Sequence, residues 1–325
     1  MSTFTVLIPD DVDPRALDIL NAAEGLTVIA PGKLTQEQLL AAVPGVNGML
    51  IRSGVKITAD ILAAATDLKV IARAGVGVDN VDLPAATAHG VVVVNTPGGN
   101  TISTAEHTFG LMLALARFLP QGDASLRAGK WDRKSFTGVE LRGKTLGLIG
   151  CGRIGQAIAV RAQAFGMTVI GFDPYLPDAA FAAAGISKVD LATLYAQSDF
   201  ISLHTLLNNE TRGLINADAI AQMKDGVRIL NAARGALIND ADLAAALKSG
   251  KVAGAGLDVF EPEPPAADNP LIGLPNVVHT PHLAASTSDA QITVALEAAE
   301  LVRDFLLKGD IQNVCNPAVL DKKSS

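Results

Sequence analysis

The sequence predicts an α/β protein: two doubly wound domains, each a parallel sheet with helices on both faces. Short β-branched runs alternate with alanine-rich helical stretches almost to the end of the chain, the pattern of a parallel sheet with crossover helices. The strand runs are apolar throughout rather than alternating, as in strands buried on both faces. A length of 325 residues suits two cores of about 150 residues each.

In the first third, strands are predicted at 6–8, 27–29, 49–51, 70–72 and 91–94, with helical patterns such as "DPRALDILNAAEG" and "TADILAAATD" between them. The Pro-Gly-Gly-Asn cluster at 97–100 is a break. A long helix should follow, with Ser103 or Thr104 as N-cap and Glu106 in its first turn. The polar stretch "QGDASLRAGKWDRKSFTGVELRG" holds the only tryptophan, Trp131, which is read either as an interface arm or as a buried anchor for a loop. A second series of strands lies in "KTLGLIG", "MTVIGF", "DFISLH", "VRILNA", "AGAGLDV" and "NVVHT". A last helix over 286–308 precedes a short tail.

Composition removes several function classes. About half of the residues are apolar (49%), but none of the apolar runs approaches the ~18 residues of a membrane span. The start, "MSTFTVLIPD", reads as a first strand and not as a signal peptide. Cys151 and Cys315 lie outside any metal-like spacing, so no metal is expected, and a reduced, cytoplasmic setting is the default. A net charge of −7 without a basic run argues against nucleic acid. It also means that an anionic substrate must be drawn in by local arginines.

The stretch "IGCGRIGQAIAVRAQAFGMTVIGFDP" contains Gly-x-Gly-x-x-Gly at Gly150, Gly152 and Gly155, and its context gives the motif meaning. The first glycine ends a buried strand, and the third falls in the first turn of a helix whose predicted inner face is Ile154, Ile158, Ala162 and Phe165. Asp173 ends the next strand. This is the dinucleotide turn of a Rossmann-like domain: pyrophosphate meets unpaired N–H groups and the positive end of the helix dipole, with Arg153 beside it. Asp173 would accept hydrogen bonds from the ribose hydroxyls and repel a 2′-phosphate, favouring NAD over NADP.

A dinucleotide of this kind implies hydride transfer, which needs an acid–base group and a substrate anchor. His89 lies in a turn, and His107 lies inside a helix, where packing is the common role. His204 ends the strand "DFISLH" and His279 lies within "NVVHT". His282, just beyond a strand end in "TPHLAAST", is best placed for catalysis. Arg234 follows another strand, and the acidic, proline-fixed loop after Asp258 offers Glu261 or Glu263. Arginine, glutamate and histidine at three carboxyl ends of one sheet form a coherent constellation.

The chain resembles the D-2-hydroxyacid dehydrogenases, most closely those of the phosphoglycerate type. The pieces that carry the resemblance are "IRSGVKITADIL", "RAGVGVDNVDL", "NTPGGNTISTAEHT", "GKWDRKSFTGVEL", "GLIGCGRIGQAIA", "NAARGALI", "GLDVFEPEP" and "TPHLAAST". The resemblance implies that Arg234 holds the substrate carboxylate and that Glu263, just before the Pro-Pro of its loop, pairs with an acid–base His282. It implies a cofactor groove of Gly150, Gly152, Arg153, Ile154, Gly155, Asp173, His204, Thr205, Ala232, Ala284 and Val76, with Asp258 on the nicotinamide carboxamide. It also implies substrate loops with Arg52, Ser53 and Gly54, and with Arg73, Ala74 and Gly75, to which Arg133 would add a cation.

The same resemblance implies a cofactor domain, 97–284, inserted into a flavodoxin-like substrate domain, 1–96 with 285–325. It implies a homodimer, or a tetramer, through the 100–140 region. Expected substrates are D-3-phosphoglycerate, oxidised in serine synthesis, or glyoxylate, hydroxypyruvate or another anionic 2-hydroxy or 2-oxo acid. A non-catalytic NAD sensor like the corepressors of this fold is a rival. Two residues depart from the family pattern, Leu206 in place of proline and Ala284 in place of glycine. An end at residue 325 leads one to expect no serine-binding regulatory domain.

Overall fold

The computed structural model describes residues 3–323, with side chains described to Asp321. The chain forms two compact units: Met1–Asn100 with Thr287–Ser325, and Thr101–Ser286.

In the first unit the order is β1 (Phe4–Leu7), α1 (Pro14–Asn21), β2 (Leu26–Ile29), α2 (Gln36–Ala42), β3 (Gly48–Ile51), α3 (Ala59–Ala64), β4 (Val70–Arg73), α4 (Leu83–Ala88) and β5 (Val92–Asn95). The five strands are parallel in the order β2-β1-β3-β4-β5. Successive strand residues face opposite sides, so one apolar run feeds two cores. Val6, Ile8, Leu50, Val70 and Val92 fill one side, and Leu7, Met49, Ile51, Ile71 and Val93 the other. The helix starts are written locally. Asp13 caps α1 ahead of Pro14, Thr35 and Gln38 form a capping box on α2, and Asp82 caps α4.

The second unit continues with α5 (Thr101–Arg117), α6 (Leu119–Arg127), β6 (Thr145–Ile149), α7 (Arg153–Ala164), β7 (Thr168–Phe172), α8 (Asp178–Ala183), β8 (Ser187–Lys188) and α9 (Leu191–Gln197). After these come β9 (Phe200–Leu203), α10 (Ala217–Gln222), β10 (Val227–Asn231), a 3-10 turn (Gly235–Leu237), α11 (Asp240–Ser249), β11 (Val252–Leu257) and β12 (Val277–His279). The sheet is parallel, in the order β12-β11-β10-β9-β6-β7-β8. Chain order reverses between β6 and β9, so the crevice for ligands in such sheets lies at their carboxyl ends. The chain then returns to the first unit with α12 (Ser288–Lys308), which lies on β3, β4 and α1, and ends in α13 (Ala318–Lys323).

Four details differ from the sequence reading. Helix α5 starts at Thr101, directly after the glycine break, so Ser103 and Thr104 are buried inside it rather than capping it, and Glu106 lies past the first turn. Phe165 is 48% exposed because it caps the end of α7, where its ring and that of Phe109 meet edge to face. The two-residue edge strand β8 is too short to leave a pattern in the sequence. Trp131 is 80% exposed, so it does not anchor its loop from within.

Candidate active site

The glycine loop occupies the turn between β6 and α7. Gly150 has φ +92°, and a Cβ there would lie 2.5 Å from the carbonyl oxygen of His204. A Cβ on Gly155 would lie 2.4 Å from the carbonyl of Gly150. Only glycine lets the strand end, the helix and the chain after β9 come this close. Gly152 caps α7 without a side-chain bond to the first turn, with Arg153 and Ile154 following it. The Asp173 carboxylate closes the loop. One oxygen accepts from the N–H of Cys151 at 2.9 Å, the other from Tyr175 and Leu176 at 3.0 and 3.2 Å. A bare helix N-terminus, a turn with no room for Cβ and an acid at the next strand end fit a dinucleotide pyrophosphate and ribose. Cys151 takes no part as a thiolate, because burial pushes its thiol up to about 12.

After β9, the His204 N–H donates to Ile149 at 2.7 Å, and its ring pairs with Ser202 Oγ at 2.7 Å. Burial pulls the imidazole down to about 3, so it is neutral. Thr205 follows it at the loop mouth, and Leu206 is 80% exposed.

After β10, the buried Asn231 staples a turn: its amide donates to the carbonyl of Arg234 at 2.9 Å and accepts from the N–H of Ala233 at 3.0 Å. Ala232 is enclosed in that turn, and Arg234 leaves it with an extended backbone, one guanidinium nitrogen donating to the carbonyl of Ala233 at 2.7 Å. The next residue, Gly235, lies against Phe260, where a Cβ would sit 2.1 Å from the carbonyl carbon. Phe260 in turn donates its N–H to Glu263 Oε1 at 3.0 Å. Glu263 Oε2 meets His282 Nδ1 at 2.7 Å. The turn bearing Arg234 therefore packs directly on the loop that aims Glu263 at His282. Glu263 and not Glu261 makes this pair. With Nδ1 held by the carboxylate, Nε2 is the imidazole nitrogen left to work on a substrate, and the His282 side chain is 50% exposed.

Asp258, which the resemblance assigns to the nicotinamide carboxamide, stands just beyond the end of β11. The side chain is fully buried, and buried carboxylates need donors. Asp258 has them in Thr280 Oγ1, the N–H groups of Leu283 and Ala284 at 2.7 and 2.9 Å, and His107 Nε2 at 3.2 Å. Burial pushes the carboxyl up, the donors together outweigh it, and the group stays below the usual carboxylate range. His279 is structural, bonded to the carbonyl of Leu271 at 3.0 Å and stacked on Phe260.

The remaining predicted residues belong to the first unit, except Arg133, which is exposed in the segment after α6. The loop of Arg52, Ser53 and Gly54 follows β3 and is pinned by two residues that the sequence reading missed. Asp10 accepts from the N–H groups of Arg52 and Gly54 at 3.1 and 2.8 Å, and Asn80 donates to the carbonyls of Arg52 and Val55, both at 2.8 Å. Beyond β4, the Arg73 guanidinium donates to the carbonyl of Ala74 at 3.0 Å and folds over Gly75. The N–H of Gly75 donates to Thr96 Oγ1 at 2.7 Å, and the carbonyl of Val76 accepts from Asn95 at 2.6 Å.

Among the described residues, no helix is long and apolar enough to cross a membrane. Residues 109–284 match the family model of the D-isomer specific 2-hydroxyacid dehydrogenase NAD binding domain. A D-3-phosphoglycerate dehydrogenase from Archaeoglobus fulgidus is 47% identical over 96% of the chain and 59% of its own length, so the chain spans about three fifths of that relative. Solved structures of a Thermus thermophilus protein (39% identity, TM-score 0.85) and a glyoxylate reductase from Paecilomyes thermophila (32%, 0.88) match it over 96% and 97% of its length, and over 100% and 99% of theirs. A glycine turn built for a dinucleotide, a carboxylate-held histidine at the sheet edge and these likenesses lead to one conclusion: the chain belongs to the D-isomer specific 2-hydroxyacid dehydrogenases, NAD-binding oxidoreductases.

Proposed function

We propose that this dehydrogenase oxidises D-3-phosphoglycerate to 3-phosphooxypyruvate, a step of serine synthesis. The observation that carries the chemistry is the 2.7 Å pair of Glu263 and His282. Similarity to relatives named for phosphoglycerate, 44–49% identical, supports the substrate.

In this reading the neutral His282 takes the hydroxyl proton on Nε2 as the carbonyl forms. The imidazolium is held by Glu263, and in the reverse direction it returns the proton to the developing alkoxide. Arg234 offers a planar fork to the substrate carboxylate. NAD, when bound, would accept the hydride that leaves C2 of the acid. Gly150, Gly152, Arg153, Ile154 and Gly155 would hold its pyrophosphate, and Asp173 would hold the ribose and disfavour a 2′-phosphate. His204, Thr205, Ala232, Ala284 and Val76 line the cofactor groove, and Arg52, Ser53, Gly54, Arg73, Ala74, Gly75 and Arg133 bind the substrate, the arginines neutralising its phosphate. The cofactor domain is 97–284, and the substrate domain is 1–96 with 285–325. The enzyme works in the cytoplasm as a homodimer joined through the 100–140 region.

A second reading, reduction of glyoxylate or hydroxypyruvate, is favoured by the likeness to a glyoxylate reductase over 99% of that protein's length. One experiment separates the two. The protein is incubated with NAD and D-3-phosphoglycerate at alkaline pH with a ketone trap, beside reverse assays with hydroxypyruvate and glyoxylate. Faster turnover of phosphoglycerate supports the first reading. Its absence beside rapid reduction of the smaller acids selects the second. NAD binding without turnover of any acid overturns both in favour of a sensor.

A further inference from the structure

We propose that His107, on α5, is a positioning residue for His282 and acts through Thr280 and Asp258. The proposal rests on reading His282 as the acid–base of the reaction.

His282 is held in an unusual backbone conformation. Its φ is +54°, in the left-handed region that a non-glycine residue enters only at a steric cost. Two residues hold it there: the carbonyl of Thr280, 3.0 Å from the His282 nitrogen, and above all Asp258. The N–H of His282 donates to the Asp258 carbonyl at 2.8 Å, and the next two N–H groups, of Leu283 and Ala284, donate to the two oxygens of its carboxylate at 2.7 and 2.9 Å. Three consecutive N–H groups thus close on one acidic residue, the first on its carbonyl and the next two on its carboxylate. The backbone that carries the imidazole is therefore tied to Asp258, while Glu263 holds the ring itself at Nδ1.

Asp258 is fixed from its far side. Thr280 Oγ1 donates to Oδ1. His107 Nε2 lies 3.0 Å from Thr280 Oγ1 and 3.2 Å from Asp258 Oδ1. The threonine proton is committed to the carboxylate, so its oxygen is free to accept, and His107 carries a proton on Nε2. His107 thus reaches this group from α5, and it does so as a donor.

The packing of α5 on β11 explains how His107 arrives there. Leu115, Leu111 and His107 follow each other at four-residue steps on one helix face. Opposite them, at two-residue steps, stand Gly254, Gly256 and Asp258. Four helical residues rise about 6 Å, and two strand residues about 6.6 Å, so the two series stay in register. A Cβ on Gly254 would lie 2.6 Å from Leu115 Cδ1, and one on Gly256 would lie 3.2 Å from Leu111 Cβ. The glycines let the helix down onto the strand, and the next position along the same ridge brings His107 to Asp258.

The test measures steady-state kinetics of H107F, H107Q and T280V beside the wild type and H282Q, with melting temperatures. His107→Phe is expected to lower kcat about 30-fold, because a displaced acid–base group loses rate steeply with distance. KM for the hydroxy acid should stay within about twofold, since the substrate anchor is untouched. His107→Gln keeps an N–H donor and should recover most of kcat, a rescue that loss of helix packing would not produce. T280V should lower kcat by a similar factor, and the H107F/T280V pair should fall short of the product of the single losses. Unchanged kcat in H107F, equal loss in H107F and H107Q, or multiplicative losses in the pair would overturn the proposal. If H107F does not fold, H107L takes its place, with the same loss expected and the same rescue by H107Q; unchanged kcat in H107L overturns the proposal. An active wild type with a dead H282Q and an unimpaired H107F refutes only the role of His107. A wild type silent with every acid, or an active H282Q, refutes the acid–base reading and this proposal with it.

Discussion

Glu263 and His282 lie 2.7 Å apart on loops that leave neighbouring strands, and the two side chains make different demands on the reaction. His282→Gln removes the group that moves the proton and should cost about 10³-fold in kcat. Glu263→Gln leaves a hydrogen-bond partner on Nδ1 but removes the charge that stabilises the imidazolium, and a smaller loss of about 10²-fold is expected. Equal kcat in E263Q and wild type would show that the carboxylate only orients the ring. His204 gives a second prediction. Burial takes its imidazole from 6.5 to about 3, so the folded state excludes a proton that the unfolded chain binds. Stability is then full above about pH 6.5 and falls as pH drops toward 3, with a limiting slope near 1.4 kcal/mol per pH unit. His204→Gln should flatten denaturant-derived stability between about pH 6 and 4.5, above the range in which Asp258 titrates. An unchanged slope would mean that His204 is protonated in the native state. The sequence exposed the strand-end residues because their positions follow from local pattern: an apolar run, then Arg234, Glu263 or His282. It hid Asp10, Asn80 and His107, because the bonds that give them their roles are long-range: Asp10 to Arg52 and Gly54, Asn80 to Arg52 and Val55, and His107 to Asp258 and Thr280.

Strands and helices were legible where composition is continuous and blurred where tertiary packing chooses the boundary. The six apolar runs of the second series correspond to β6, β7, β9, β10, β11 and β12, while the start of α5 was misplaced by three residues or so because Ser103 and Thr104 look like caps but are buried. The glycines of "AGAGLD" show the same limit: as sequence they weaken a strand, and only the helix above explains them. Gly254→Val places methyl groups against Leu115 and the carbonyl of Asn276, from which a Cβ would already be 2.6 and 2.8 Å away. Overpacking of this kind should lower unfolding stability by about 1–3 kcal/mol. Because α5 must lift to relieve the clash, kcat should fall as well, with NAD affinity kept. A stable, fully active G254V would show that α5 and β11 do not need this approach.

At the scale of the whole molecule, one stretch of chain gathers several exposed apolar side chains. Leu119, Leu126 and Trp131 are 57%, 59% and 80% exposed, and Ile102 at the start of α5 is 55% exposed. A tryptophan with that much surface in water is unusual, and aromatic side chains of this kind are favoured at subunit interfaces. The dimer proposed through the 100–140 region would cover them. Trp131 is the only tryptophan, so it reports on its own surroundings without interference. Sedimentation should give twice the 33.5 kDa of one chain at micromolar concentration. On dilution the mass should fall toward that of a monomer while the tryptophan emission moves to the red, the two curves sharing one midpoint. Leu126→Ser with Trp131→Ser should shift the mass transition to higher concentration without altering the fold, because neither side chain belongs to a core. A monomer mass at every concentration, or a dimer indifferent to both substitutions, would place the interface elsewhere or remove it. Agreement of the mass and emission midpoints would bring the exposed apolar residues and Arg133, two residues beyond Trp131, to the boundary between subunits.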